Sequence, residues 1–250
     1  MSDDSTTENS NFRSELLDAA SGMDHEPQQF SSTRVEAAGR VDPDDTVTDR
    51  QERLRGFEQS ELSSSTVLLI GAGGLGSEIG EGLARKGVGR LVICDGDIVE
   101  RSNLSRQRFF SEDIGENKAV ALARNLSDES SLDATFVGHP HHFGDALATT
   151  LDVDPDIVIC ALDSDEGRRE VTNHYYEDCP VIVTGLGYEA VGGYVFVQEP
   201  SGPCFRCFRP NASGGGSCGP DPAVKDPGKV VGGYTLYSID SVLMDRYRDW

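Results

Sequence analysis

Residues 67 to 76 read Val67-Leu-Leu-Ile70 and then Gly71-Ala-Gly-Gly-Leu-Gly76, an apolar run that empties into glycines and continues as a helical pattern. Few local sequences constrain a fold as much. Gly71, Gly73 and Gly76, following a strand and opening a helix, let backbone N–H groups and the positive helix end face an anion. A second apolar run ends at Asp95, where a carboxylate can accept hydrogen bonds from ribose hydroxyls. The pattern is the mononucleotide half of a doubly wound sheet, and a dehydrogenase would begin in the same way.

The rest of the chain continues the alternation. Apolar runs at 66–70, 91–95, 134–138, 157–161 and 181–184 are separated by helical patterns at 75–86, 118–126, 143–151 and 165–177. Strands of that kind, divided by helices, predict a mostly parallel sheet covered on both faces, an α/β, Rossmann-like fold. Val195-Phe-Val197, between glycines and Pro200, predicts a C-terminal antiparallel extension over 188–198, and a final helix is expected near 235–248. Another helix is expected from Asp49, carrying Arg50 and Gln51 and ending near Gly56 and Phe57.

Residues 1–46 differ in composition, with 11 Asp and Glu against 3 Arg and few large apolar groups. Such a segment cannot offset its chain entropy by burial, so a disordered acidic tail is expected there and one folded domain over 47–250. A short helix at 12–20 would form only if a partner covered Phe12, Leu16 and Leu17.

The N-terminus lacks the basic and apolar parts of a secretory signal, and no stretch approaches a membrane span, so a cytoplasmic protein is expected. The formal charge of -21 makes nucleic acid a poor partner. Only Lys86, Lys118, Lys225 and Lys229 are lysines among the 22 basic residues. Few lysines beside many aspartates point to adaptation to high salt, where self-repulsion is screened; an acidic protein of a low-salt cell is the alternative.

What separates a triphosphate site from a nicotinamide site is the polar segment after Asp95. Asn103, Arg106, Gln107 and Lys118 supply donors and positive charge. The run Asp95-x-Asp97-x-Val99-x-x-Ser102-Asn103-Leu104-x-Arg106-Gln107 resembles the signature of the ubiquitin-activating-type adenylyltransferase superfamily, and the resemblance extends from about Arg50 to the C-terminus. That superfamily includes the enzymes that activate the sulfur-carrier proteins of molybdopterin and thiamine synthesis.

The resemblance implies ATP with magnesium, and an acyl-adenylate formed on the C-terminal carboxylate of a ubiquitin-like or sulfur-carrier protein ending in Gly-Gly. In those terms the turn Gly71, Gly73, Gly74 and Gly76 and the cations Arg106 and Lys118 hold phosphates, Asp95 the ribose, and Asn103 with Gln107 the triphosphate. A solvated loop with surface ion pairs is the competing reading of Arg106 and Lys118.

Asp163 follows an apolar strand, where a carboxylate faces the ligand crevice. It resembles the family's magnesium-associated aspartate, although Ser164 stands where asparagine is usual, and it could also cap the helix that follows. Arg50 matches the second arginine of an Arg-Tyr-x-Arg-Gln motif that in relatives reaches the partner subunit's site, which implies a homodimer. Val47 and Thr48 replace that motif's first two residues. The modifier's tail is expected over the antiparallel strands at 188–197.

The six cysteines divide. Cys94, Cys160 and Cys179 lie at or beside strand ends and read as small buried apolar residues. Cys204-Phe-Arg-Cys207 has zinc-knuckle spacing, but relatives complete such a site with a second C-x-x-C, and here none follows Cys218. Zinc with another ligand, a vestigial pair and a reduced free pair all remain open. Cys218, on the loop Gly214-Gly-Gly-Ser-Cys218-Gly, reads as a thioester or persulfide nucleophile, a third zinc ligand or an inert thiol. His139-Pro-His-His142 offers metal ligands, but its place after a strand in a proline-bearing loop favours a surface turn.

Two other functions use the same residues: adenylation of a peptide, small carboxylate or tRNA base, and a noncatalytic subunit that supports an active relative. The second would be marked by loss of Arg106 or Asp163, and both are present. If the charge reflects salt adaptation, the melting temperature should rise between ~0.1 and ~2 M salt, and a flat or falling curve removes that reading.

Overall fold

In the computed structural model, which describes residues 26–33, 46–144, 151, 153–187, 192–210 and 225–244, seven strands form one sheet. They are β1 (Gln28–Ser32), β2 (Thr66–Ile70), β3 (Arg90–Cys94), β4 (Ala134–His139), β5 (Ile157–Cys160), β6 (Val181–Leu186) and β7 (Gly193–Gln198), in the order β1-β4-β3-β2-β5-β6-β7. The five central strands are parallel, and β1 and β7 pair antiparallel at the two edges. The chain runs outward from β2 to β4 on one side and from β5 to β7 on the other. The switch point of the topology therefore falls at the carboxyl ends of β2 and β5, where open α/β sheets bind ligands.

Successive strand residues serve opposite layers. Val67, Leu69, Leu91, Ile93, Phe136, Ile157 and Ile159 meet Ile79 and Leu83 of α3 (Gly74–Lys86), Leu122 of α4 (Lys118–Glu129) and Ile239 of α7 (Lys225–Leu243). Leu68, Ile70, Val92, Val158, Val181 and Val183 meet Val171 of α5 (Asp165–His174), and Phe205 of the short α6 (Phe205–Phe208). Burial on both faces explains why these strands read as continuous apolar runs.

Three segments depart from the sequence expectation. Residues 28–32, counted within the acidic tail, form β1, whose five residues pair with 134–138 of β4 and whose Phe30 packs on the core. Composition misses a strand whose stability comes from an existing edge. The helix at Asp49 stops at Glu52 as α1, and a second, α2 (Gln59–Ser64), buries Leu62. The last helix begins ten residues early, at Lys225. Its Pro227 falls in the first turn, where no N–H is needed. Each helical glycine costs about 1 kcal/mol relative to alanine, while burial of Val231 and Ile239 returns about 1.5–3 kcal/mol apiece. Gly232 lies against Glu78 and Ile79 of α3, and Lys86 of α3 is ion-paired with Asp240. The helix expected at 143–151 lies largely outside the described residues.

The glycine turn is fixed by close backbone contacts. Gly71 has φ +97°, and its N–H donates to the Cys94 carbonyl at 2.9 Å. A Cβ on Gly71 would stand 2.9 Å from the Ala161 carbonyl oxygen, and one on Gly76 only 1.8 Å from the carbonyl oxygen of Gly71. The turn thus lies directly on the end of β5. At Gly73 and Gly74, by contrast, a Cβ would meet nothing within 4 Å among the described residues.

The long polar loop between β3 and α4 is equally ordered. Asp113, fully buried, accepts from Phe110 N (2.7 Å) and Asn125 Nδ2 (2.8 Å) and is ion-paired with Arg124. Asp113→Ala leaves these donors unpaired and is expected to cost about 3 kcal/mol. Gly76→Ala is expected to cost about 3 kcal/mol through backbone displacement. Denaturant titration checks both, and a loss under about 1 kcal/mol would contradict the geometry.

Candidate functional site

Asp95 ends the extension of β3 and is 9% exposed. Its carboxylate accepts from Ala72 N of the glycine turn at 2.7 Å and from Asp97 N at 2.9 Å. Burial pushes its carboxyl above the ordinary carboxylate range, while the Lys118 charge and the two N–H bonds pull it back and the nearby Asp97 pushes it up further. Lys118, also buried, bonds Asp97 Oδ2 through Nζ at 2.7 Å. Together they place a locked carboxylate and a paired cation at the end of β3.

Asn117 holds that corner and was not singled out by the sequence. Its Oδ1 caps α4 by accepting from Ala119 N (2.9 Å) and Val120 N (3.2 Å), and its Nδ2 donates to the carbonyls of Asp95 (2.8 Å) and Asp97 (3.1 Å). An Asn immediately before a helix was the available signal. His142, in the turn after β4, lies over Gly96 with Nε2 3.8 Å from Asp97 Oδ1. It is 74% exposed, as a surface turn should be.

The signature segment folds as a 3-10 turn (Arg101–Asn103) and its continuation. Asn103 Oδ1 accepts from Glu100 N at 2.9 Å, so this oxygen shapes the loop. Arg106, half-buried, donates from Nη1 to the Ser102 carbonyl at 2.6 Å. Gln107 is 7% exposed, and its Oε1 is buried without a partner among the described residues. An oxygen cannot grip a phosphate oxygen, so any contact of Gln107 with a triphosphate must come from its amide N–H₂.

Asp163 is exposed just beyond the carboxyl end of β5, two residues past Ala161, on whose carbonyl the glycine turn rests. The capping role falls to Ser164, whose Oγ accepts from Gly167 N at 3.1 Å at the start of α5. The residue that departs from the family pattern therefore has a structural use, and Asp163 is not needed for it. An exposed carboxylate at this strand end suits a hard cation such as magnesium.

Arg50 is exposed on α1, away from the sheet core. Cys94, Cys160 and Cys179 are buried, and burial pushes each thiol up to about 12, too high for nucleophilic use near neutral pH. Cys204 and Cys207 lie at the start of α6 with their sulfurs 3.7 Å apart. Among the described residues no further His, Cys, Asp or Glu joins them, and two donors do not make the four that structural zinc takes. Cys218 and residues 188–191 lie outside the described residues. A cavity of about 310 Å³ lined by Asp154, His174, Tyr175 and Cys179 sits at the opposite, amino ends of β5 and β6. It is remote from the glycine turn.

No described helix is long and apolar enough to cross a membrane. The ThiF family profile matches residues 48–235. The adenylyltransferase and sulfurtransferase MOCS3 of Xenopus laevis is 32% identical over 155 residues, covering 61% of this chain and 34% of that protein. The SAMP-activating enzyme E1 of Haloferax volcanii is 35% identical over 160 residues, covering 62% of this chain and 57% of that protein. The chain thus spans less than two thirds of the length of these relatives. The crystal structure of E. coli MccB with ATP superposes with a TM-score of 0.60 at 20% identity, over 75% of this chain and 58% of that one, a likeness of fold. The family match runs from the helix carrying Arg50, through the glycine turn and Asp163, into the last helix, and the chain belongs to the ThiF family.

Proposed function

We propose that this protein uses ATP to adenylate the C-terminal carboxylate of a ubiquitin-like or sulfur-carrier protein ending in Gly-Gly. The observation that carries this reading is the convergence at the β2–β5 switch point of the helix N-terminus at Gly73 and Gly74, open among the described residues, the locked carboxylate Asp95, and Asp163. The relatives' names, an adenylyltransferase and an activating enzyme, support the same chemistry.

In this reading the phosphates lie against the first N–H groups of α3, where the helix dipole favours an anion. Asp95 keeps lone pairs for ribose hydroxyls while its backbone partners fix its orientation. Lys118 moves from Asp97 to the phosphates, and Arg106 adds a second positive charge. The modifier's carboxylate oxygen attacks the α-phosphorus, the bond to the pyrophosphate oxygen breaks, and the acyl-adenylate remains. Positive charge matters most as pyrophosphate leaves, because stabilising developing charge is usually the largest catalytic contribution. Magnesium held by Asp163 would neutralise phosphate oxygens. A second copy of the chain would bring Arg50 to this site in trans, and the modifier's tail would approach along β7.

Arg106→Ala and Asp163→Asn are expected to lower modifier-dependent ATP–pyrophosphate exchange about 10²–10³-fold with little change in melting temperature. Lys118→Ala should lower exchange similarly and also lose stability, since it leaves Asp97 and the buried Asp95 without their cation. Wild-type exchange in the first two variants, or no exchange with any Gly-Gly-ending candidate, would sink the reading. Exchange driven by short peptide carboxylates alone would move it to peptide activation.

A further inference from the structure

In the proposed adenylation Lys118 turns from Asp97 to the phosphates, and Asp97 loses its cation. The carboxylates of Asp95 and Asp97 are near neighbours, and the charge of Asp97 already pushes the Asp95 carboxyl upward while that of Lys118 opposes it. Two such groups facing a triphosphate without the lysine would repel it. A second partner for Asp97 therefore governs how readily Lys118 is released.

His142 stands where that partner is needed. Lys118 Nζ bonds Asp97 Oδ2 at 2.7 Å, and His142 Nε2 lies on the side of the other oxygen, 3.8 Å from Oδ1. The imidazole covers Gly96, between the two aspartates, where a Cβ would come within 2.5 Å of the ring's Cδ2. A glycine at 96 is thus what lets the ring approach from the turn after β4. The backbone of Asp97 is fixed, because its N–H donates to Asp95 Oδ1 at 2.9 Å and its carbonyl accepts from Lys118 N (2.9 Å) and Asn117 Nδ2 (3.1 Å). Its side chain and that of His142 are 55% and 74% exposed, so both are free to rotate, and closing 3.8 Å to a hydrogen bond of about 2.8 Å takes only a small turn.

We propose that His142 is a positioning residue of the nucleotide site, donating its Nε2–H to Asp97 as Lys118 leaves for ATP, an inference that rests on the adenylation reading. Asp97 passes from the lysine to the imidazole, and Lys118 reaches the phosphates without leaving a bare carboxylate beside Asp95. His142 acts through Asp97 and does not touch the nucleotide.

The test is a double-mutant cycle that measures ATP affinity of the full-length chain by calorimetry, without modifier. His142→Ala should weaken ATP binding about fivefold with an unchanged melting temperature, and His142→Gln, which keeps an N–H donor, should recover most of the loss. In an Asp97→Asn background, where no charge holds the lysine, His142→Ala should have no effect. The comparison of Ala with Gln at 142 stands even if Asp97→Asn folds poorly. Equal loss in both backgrounds would mean that His142 touches the nucleotide and would overturn the proposal, as would a divalent ion bound without ATP and lost in His142→Ala. ATP binding that His142→Ala leaves unchanged overturns this inference alone, whereas a wild type that binds no ATP overturns the adenylation reading with it.

Discussion

The site rests on a contact between two backbone segments. Gly76, in the first turn of α3, is pressed against the carbonyl of Gly71, and Gly71 against the carbonyl of Ala161 at the end of β5. No side chain fits at either place. Because of this approach, the N-terminus of α3 and the residues that follow β5 share one crevice. Gly73 and Gly74, one step away in sequence, face open space among the described residues. A single turn thus combines tight packing on one side with room for a ligand on the other.

Around that crevice, charge is organised locally although the chain as a whole is strongly acidic. Each buried carboxylate of the loop has definite donors. Asp95 has Ala72 N and Asp97 N, while Asp113 has Phe110 N, Asn125 and Arg124. Lys118 does not stand free and is held by Asp97. A burial penalty on Asp95, opposed by Lys118, ties the carboxylate and the cation into one electrostatic unit. Change at either is felt by both.

Much of this was legible in the residues. The strand, glycine turn and helix at 66–86 and the parallel order of the central strands follow from apolar periodicity, and the structure has them within a residue or two at most boundaries. The burial of Cys94, Cys160 and Cys179 followed from their place at strand ends. What escaped reading has a common physical cause. The strand at 28–32 depends on the edge of β4, and the glycine-bearing start of the last helix on the surface of α3. In both, tertiary contact outweighs weak local preference. Asp163 and Ser164 are both capping residues, so residue order left capping open as a second role for Asp163, and only the backbone gives it to Ser164.

The sequence by itself determined the fold class and the family, because a strand closing on glycines and an ordered set of polar residues are local patterns that survive without neighbours. It also separated the paired cysteines from the buried ones. Only the tertiary structure decided that Lys118 is shared with Asp97, that Asn103 directs its oxygen into its own loop, and that Cys204 and Cys207 gather no further ligand among the described residues. Each of these turns on the distance between groups far apart in the chain or on the direction of a side chain, and neither is written in residue order.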